Sequence, residues 1–181
     1  MPFPKKRIHT IQDIYNLPDG QRGELIDGDL YMMAPPSRIH QKLVHQLDRL
    51  IGNYIADKQG SCEVYPAPFA VFLNRDDKNY VEPDISVICD KNKLSDRGCE
   101  GAPDWVIEIV SPSSHRMDYQ IKLFKYRTAG VREYWVVNPS TKIVMVYGFE
   151  EDAHSGQFRF DQTIQSNIYH DFEIIMNDLL K

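Results

Sequence analysis

A chain of 181 residues fits one domain, and a domain of this size can bury roughly 70% of the surface its unfolded form exposes, so no covalent staple is needed for stability. Hydrophobic residues at 42% and charged residues at 26% exclude a disordered chain. The net charge of -5 excludes a molecule that presents one positive field to nucleic acid, so any polyanion must be met by a local patch.

The first residues, MPFPKKRIHT, carry a basic run with no apolar stretch behind it. No segment approaches the ~20 apolar residues of a membrane span, and a cytoplasmic protein is expected. Cys62, Cys89 and Cys99 are odd in number, widely spaced and without a CxxC pair, which predicts three reduced thiols.

GELIDGDLYMMAP alternates around Asp27-Gly28, a pair suited to the positive φ of a tight turn, and predicts a β-hairpin. From Ser37 to about Asp57, Ile39, Leu43, Leu47, Leu50 and Tyr54 recur at helical spacing, with Val44, Ile51 and Ile55 widening the stripe. Three β-rich runs follow, CEVYPAPFAVFL, VEPDISVIC and DWVIEIV, divided by turn residues. A second helix is predicted from about Ser114 to Thr128, with Ile121, Phe124 and Thr128 on its packed side and Gly130 as its stop. VREYWVV, KIVMVYGF and QFRFDQTI read as strands, and DFEIIMNDLL as a short terminal helix. The expected architecture is one α/β domain over residues 1–181, with a mixed central β-sheet flanked by helices and an N-terminal β-hairpin.

Two acids stand out. Asp84 follows a proline at the mouth of an apolar strand, and Glu108 interrupts the buried run WVIEIV. Alternation puts Asp84, Ser86 and Ile88 on one face, and Val106, Glu108 and Val110 on one face of the next strand. If those strands are neighbours, the two carboxylates lie close together, repel each other and lose hydration, a conflict that a divalent cation removes. Hard oxygen ligands suit Mg²⁺ or Mn²⁺, which bind through one or two carboxylates plus substrate phosphate, and that points to phosphodiester chemistry. Either acid could instead serve an ordinary ion pair or turn.

The segment HRMDYQIKLFKYRTAGVR holds Arg116, Lys122, Lys125, Arg127 and Arg132 against Asp118, a local charge of +4. Such a run is usually a solvated helix face. Lys122 differs, because it borders the packed side and could lean over the sheet toward the two acids, placing a cation near water or a scissile phosphate.

The strings EPDISVI, PDWVIEIVSPSS and DYQIKLFKYRTAGVREYWVVNP, in that order, resemble the Uma-type restriction endonuclease family of the PD-(D/E)XK nuclease superfamily. The likeness runs from GELIDGDL to EYWVVNP. It implies a restriction-endonuclease-like fold and a metal-dependent endonuclease acting on DNA. Pro83-Asp84 matches the PD element and Glu108 the acid of the second element, the pair that would bind Mg²⁺ or Mn²⁺. Val110 stands where the superfamily usually has lysine, and the matching lysine is Lys122 in the following helix. Glu24, in GELIDGD, matches a further acidic position that would reach the metal or its water, and could equally pair across the hairpin.

Other residues carry weaker signals. His40 and His45, on the first helix, are too few and too scattered for a histidine metal site, though either could approach substrate and such histidines are more often surface or satisfied; Ser111, Ser113 and Ser114 lack a GxSxG elbow and suit helix entry, and Tyr134 and Trp135 suit the core. No GxGxxG or P-loop is present. Two further readings remain open at this point: a nucleic-acid- or protein-binding module that keeps the fold without catalysis, and a dimer-forming structural domain. Apolar terminal strands could pair subunits as a homodimer.

Overall fold

The computed structural model describes residues 7–112 and 114–181. A short helix, α1 (Ile11–Tyr15), precedes β1 (Gly23–Ile26) and β2 (Asp29–Met32), which pair antiparallel as the expected hairpin. Asp27 and Gly28 take φ of 51° and 79°, the left-handed geometry a two-residue turn requires, and a Cβ on Gly28 would meet Ile8 Cγ2 at 2.5 Å. Next comes α2 (Arg38–Asp57), capped by the Ser37 hydroxyl, which accepts from the His40 amide. Its buried stripe is Leu43, Val44, Leu47, Ile51 and Ile55, and truncating one such leucine to alanine would cost about 2–5 kcal/mol.

The run CEVYPAPFAVFL forms two strands rather than the single one expected. β3 (Glu63–Pro66) ends at its prolines, which cannot donate to a ladder, and β4 (Val71–Phe72) joins a different sheet. β5 (Ile85–Ile88) returns beside β3. β6 (Leu94–Ser95) and β7 (Gly98–Glu100) complete the small sheet with β4, and β8 (Trp105–Ile109) follows. A π-helix over Met117–Lys122 runs into α3 (Leu123–Ala129), which Gly130 stops with φ of 97°. β9 (Glu133–Asn138), β10 (Ile143–Gly148) and β11 (Gly156–Arg159) form the remaining strands of the main sheet.

QFRFDQTI is likewise split, into β11 and β12 (Thr163–Gln165), because the chain turns around Asp161. DFEIIMNDLL is not a helix throughout. Its first half is β13 (Glu173–Ile175), paired with β12, and only Met176–Leu180 coils as a 3₁₀ turn. The β-branched Ile174 and Ile175 suit a ladder better than a helix.

The six-stranded sheet has the order β11-β10-β9-β8-β5-β3, with β8 and β9 parallel and the other pairs antiparallel. On one face Ile85, Trp105, Ile107, Trp135 and Val137 pack against the stripe of α2 and the C-terminal segment. On the other, Val106, Val110, Tyr134 and Val136 pack against Tyr126, Val131 and the small sheet. Tyr134 and Trp135 are core residues, as expected.

Two further expectations fail for instructive reasons. The packed side of the second helix is not Ile121, Phe124 and Thr128: Phe124 is 66% exposed, and the buried positions are Asp118, Lys122, Lys125 and Tyr126. That face is polar because it closes over buried carboxylates. Nor are all three thiols reduced, since Cys62 and Cys89 form a disulfide while Cys99 stays free and buried. The register that sets Glu63 opposite Ile88 continues to Cys62 opposite Cys89, a pairing invisible in their sequence spacing. Among the described residues, no helix is long and apolar enough to cross a membrane.

Candidate functional site

β5 and β8 are direct neighbours, with Ile85 opposite Ile107, so one step outward the register brings Asp84 beside Glu108. Glu108 projects from the face it shares with Val106 and Val110, whereas Trp105, Ile107 and Ile109 point to α2. The Asp84 amide lies 3.5 Å from Glu108 Oε2. Asp84 Oδ2 accepts the Ile109 amide at 2.7 Å and stands 3.1 Å from His40 Nε2. Its side chain is 14% exposed, while Glu108 is buried.

Lys122 reaches the acids. Its Nζ donates to Glu108 Oε1 at 2.8 Å and to Glu24 Oε1 at 2.9 Å, with Glu24 Oε2 at 2.8 Å. Glu24 comes from β1 and also accepts the Glu82 amide at 2.9 Å, so hairpin, sheet and π-helix converge on one ammonium. Tyr126 adds a hydroxyl donated to Glu108 Oε1 at 2.6 Å. The π-helix widens the turn, and its Asp118 and Lys122 share a buried side with Tyr126 of α3.

Asp118 was not anticipated. It is buried, accepts the Ser114 hydroxyl at 2.5 Å, and its backbone carbonyl accepts the Tyr134 hydroxyl at 2.9 Å. The readable signal was a polar stripe at i, i+4 and i+8, Asp118–Lys122–Tyr126, in a helix whose large apolar Phe124 falls outside it.

Four carboxylates, from Glu24, Asp84, Glu108 and Asp118, thus gather around one contacting lysine. Burial pushes the Glu108 carboxyl well up; Lys122 offsets part of this, and Asp84, Asp118 and Glu24 push it further. Burial likewise lifts Asp118 to about 6 despite Lys122 and the Ser114 hydroxyl. Burial disfavours the charged form of Lys122, but Glu108, Glu24 and Asp118 more than offset it and hold the ammonium well above its usual range. Fully ionised, the four carboxylates carry more negative charge than one lysine neutralises.

The acids lie against a cavity of about 900 Å³, walled by the Met32–Pro36 segment, the start of α2 and the turn after β8. Among the described residues, no three His, Cys, Asp or Glu side chains form a ready metal cage. A pair of carboxylates with surplus negative charge is nevertheless the donor set of Mg²⁺ or Mn²⁺, which retain waters as their remaining ligands. On the described residues, Asp84 Oδ1 accepts no hydrogen bond and is available to such an ion.

The weaker candidates separate clearly. His40 touches Asp84, whereas His45 is exposed and lines no part of the cavity. The Ser114 hydroxyl is engaged by the Ser111 amide and Asp118 in the helix entry, and Ser113 lies outside the described residues.

Known proteins match this chain in family and in fold. The profile of the Uma2 family, described as "Putative restriction endonuclease", matches residues 11–176. The chain is 26% identical over 155 residues to the uncharacterized protein slr1290 of Synechocystis sp., covering 84% of this chain and 78% of that one. A second Synechocystis protein of the same description, sll1609, is 26% identical over 121 residues, 65% of this chain and 67% of its own. A crystal structure from Anabaena variabilis, titled as a putative nuclease belonging to DUF820, superposes with a TM-score of 0.74, covering 94% of this chain and 96% of that chain. At 20% identity that likeness is one of fold.

Proposed function

The chain belongs to the Uma2 family, and on that premise we propose that it is a metal-dependent endonuclease that hydrolyses phosphodiester bonds of DNA. Asp84 and Glu108 would hold Mg²⁺ or Mn²⁺. Bound there, the cation would polarise a phosphoryl oxygen and acidify a water for attack. The protein's own contribution is placement. The strand register fixes the two carboxylates side by side, and Ile109 N anchors one oxygen of Asp84. Lys122, kept charged between Glu24 and Glu108, holds positive charge where the phosphate's negative charge grows. Glu24 orients that ammonium and spares Glu108 from being its sole counter-ion.

The observation that carries this reading is the 2.8 Å contact between Lys122 Nζ and Glu108 Oε1, made at the foot of an open cavity and beside Asp84. It supports a working acid–acid–lysine set in which the lysine arrives from the helix instead of the strand. The test is relaxation and linearisation of supercoiled plasmid with Mg²⁺ or Mn²⁺ against EDTA. Cleavage that requires the cation and disappears in Asp84→Asn supports the assignment. Equal cleavage in EDTA, or by the variant, refutes it.

A further inference from the structure

His40 makes an attachment that neither the family resemblance nor the proposed metal pair accounts for. It sits in the first turn of α2, where the Ser37 cap receives its amide, and its imidazole Nε2 lies 3.1 Å from Asp84 Oδ2. The amide of Ile109 donates to that same oxygen at 2.7 Å. Asp84 therefore has one oxygen held by two donors and one, Oδ1, that accepts nothing from the described residues. His40 Nδ1 is buried and has no partner among the described residues, and the His40 side chain is only 12% exposed. Among the described residues, the imidazole directs its hydrogen bonding to a single carboxylate oxygen.

We propose that His40 is the positioning residue of Asp84: Nε2–H and the Ile109 amide lock Oδ2, fix the carboxylate's rotation and leave Oδ1 as the oxygen presented to a divalent cation. The proposal rests on the reading of Asp84 as a metal ligand. Partners of this kind, which orient a ligand without touching the ion, typically change metal affinity by about 10–100-fold when removed.

The test is titration of the metal-free protein with Mn²⁺ by calorimetry, comparing wild type, Asp84→Asn, His40→Leu, His40→Gln and His40→Asn. Glutamine carries an amide N–H at about the reach of Nε2, and asparagine is one bond too short. Mn²⁺ affinity should fall about 10–100-fold in His40→Leu and His40→Asn and return to within a few-fold of wild type in His40→Gln. A role in packing alone would rank the variants by size and not separate glutamine from asparagine in this way. Wild-type affinity in His40→Leu, or a His40→Gln as weak as His40→Asn, overturns the inference while Asp84→Asn still reports the metal site. A wild type that binds no Mn²⁺ overturns the metal reading and the inference together. Thermal melts run alongside identify any variant that fails to fold, and the glutamine–asparagine contrast decides the matter without the leucine variant.

Discussion

Lys122 Nζ sits 2.8 Å from Glu108 Oε1 although the two residues belong to different elements, one on a π-helix and the other on a central strand. Val110, two residues after Glu108 on the same face, is buried in apolar packing and leaves that strand without a lysine. The helix supplies the missing charge from above the sheet. Glu24 shares the ammonium, so Lys122 serves as the common counter-ion of two buried acids.

That sharing sets the cost of removing it. Lys122→Met leaves Glu24 and Glu108 buried without their cation and should destabilise the protein by about 3–5 kcal/mol. Adding Glu24→Gln to Lys122→Met removes one of the stranded charges and should recover a substantial part of that loss without restoring cleavage. Urea denaturation and the plasmid assay on the same samples check both halves. A single variant as stable as wild type would show that the ion pairs contribute little.

Asp118 gives the pH dependence a sign. Its carboxyl is raised from 3.8 to about 6, burial being the main cause, so the folded chain binds this proton more tightly than the unfolded chain. Its favourable contribution is fully present below pH 3.8 and is lost as pH rises through about 6. In metal-free buffer Asp118→Asn should therefore exceed wild type in stability at pH 7.5, by something on the order of 1–3 kcal/mol, and converge with it near pH 4. Urea midpoints across that range measure the difference; a gap that widens toward acid contradicts the assignment.

Glu133 is the contrasting buried acid. Its carboxylate accepts from Trp135 Nε1, Ser166 Oγ, both nitrogens of Asn167 and the Ile168 amide, pinning the 166–168 segment to β9. With so many donors it has no oxygen to offer an ion. Glu133→Gln should cost on the order of 2–4 kcal/mol in stability and leave Mn²⁺ affinity unchanged, as calorimetry on the folded variant would show.

Surplus acid beside the cavity also bears on substrate binding. Without a divalent cation the carboxylates repel phosphate, so DNA should bind weakly in EDTA and more tightly when Ca²⁺ is added. Fluorescence anisotropy with a labelled duplex and a labelled single strand would measure the gain for each, and it should fall in Glu108→Gln. Affinity indifferent to Ca²⁺ would place the DNA elsewhere on the molecule.

The parts of the fold readable from sequence were those governed by short-range pattern. The Asp27-Gly28 turn, the stripe of α2 and the alternation that turned Glu108 away from Trp105 and Ile107 each depend on neighbours a few residues apart. What failed depended on long-range pairing. The Cys62–Cys89 bond follows from the β3–β5 register, and the split of CEVYPAPFAVFL follows from β4 joining a second sheet. The second helix was misjudged because apolar periodicity assumes that a buried face is apolar, and here it carries Asp118, Lys122 and Lys125. The sequence pointed to Asp84, Glu108, Lys122 and Glu24, which meet in space. It gave little reason to choose His40, since only the fold sets α2 against the start of β5. Glu133 shows why an acid in a buried strand is no site by itself: its partners decide, and those are distant in sequence.

The most direct test is anomalous diffraction from crystals soaked in Mn²⁺. The account predicts one strong peak at inner-sphere distance, about 2.1 Å, from carboxylate oxygens of both Asp84 and Glu108, and its loss in Glu108→Gln crystals. A peak bound elsewhere, or none at saturating Mn²⁺, would contradict the claim that these two acids hold the ion.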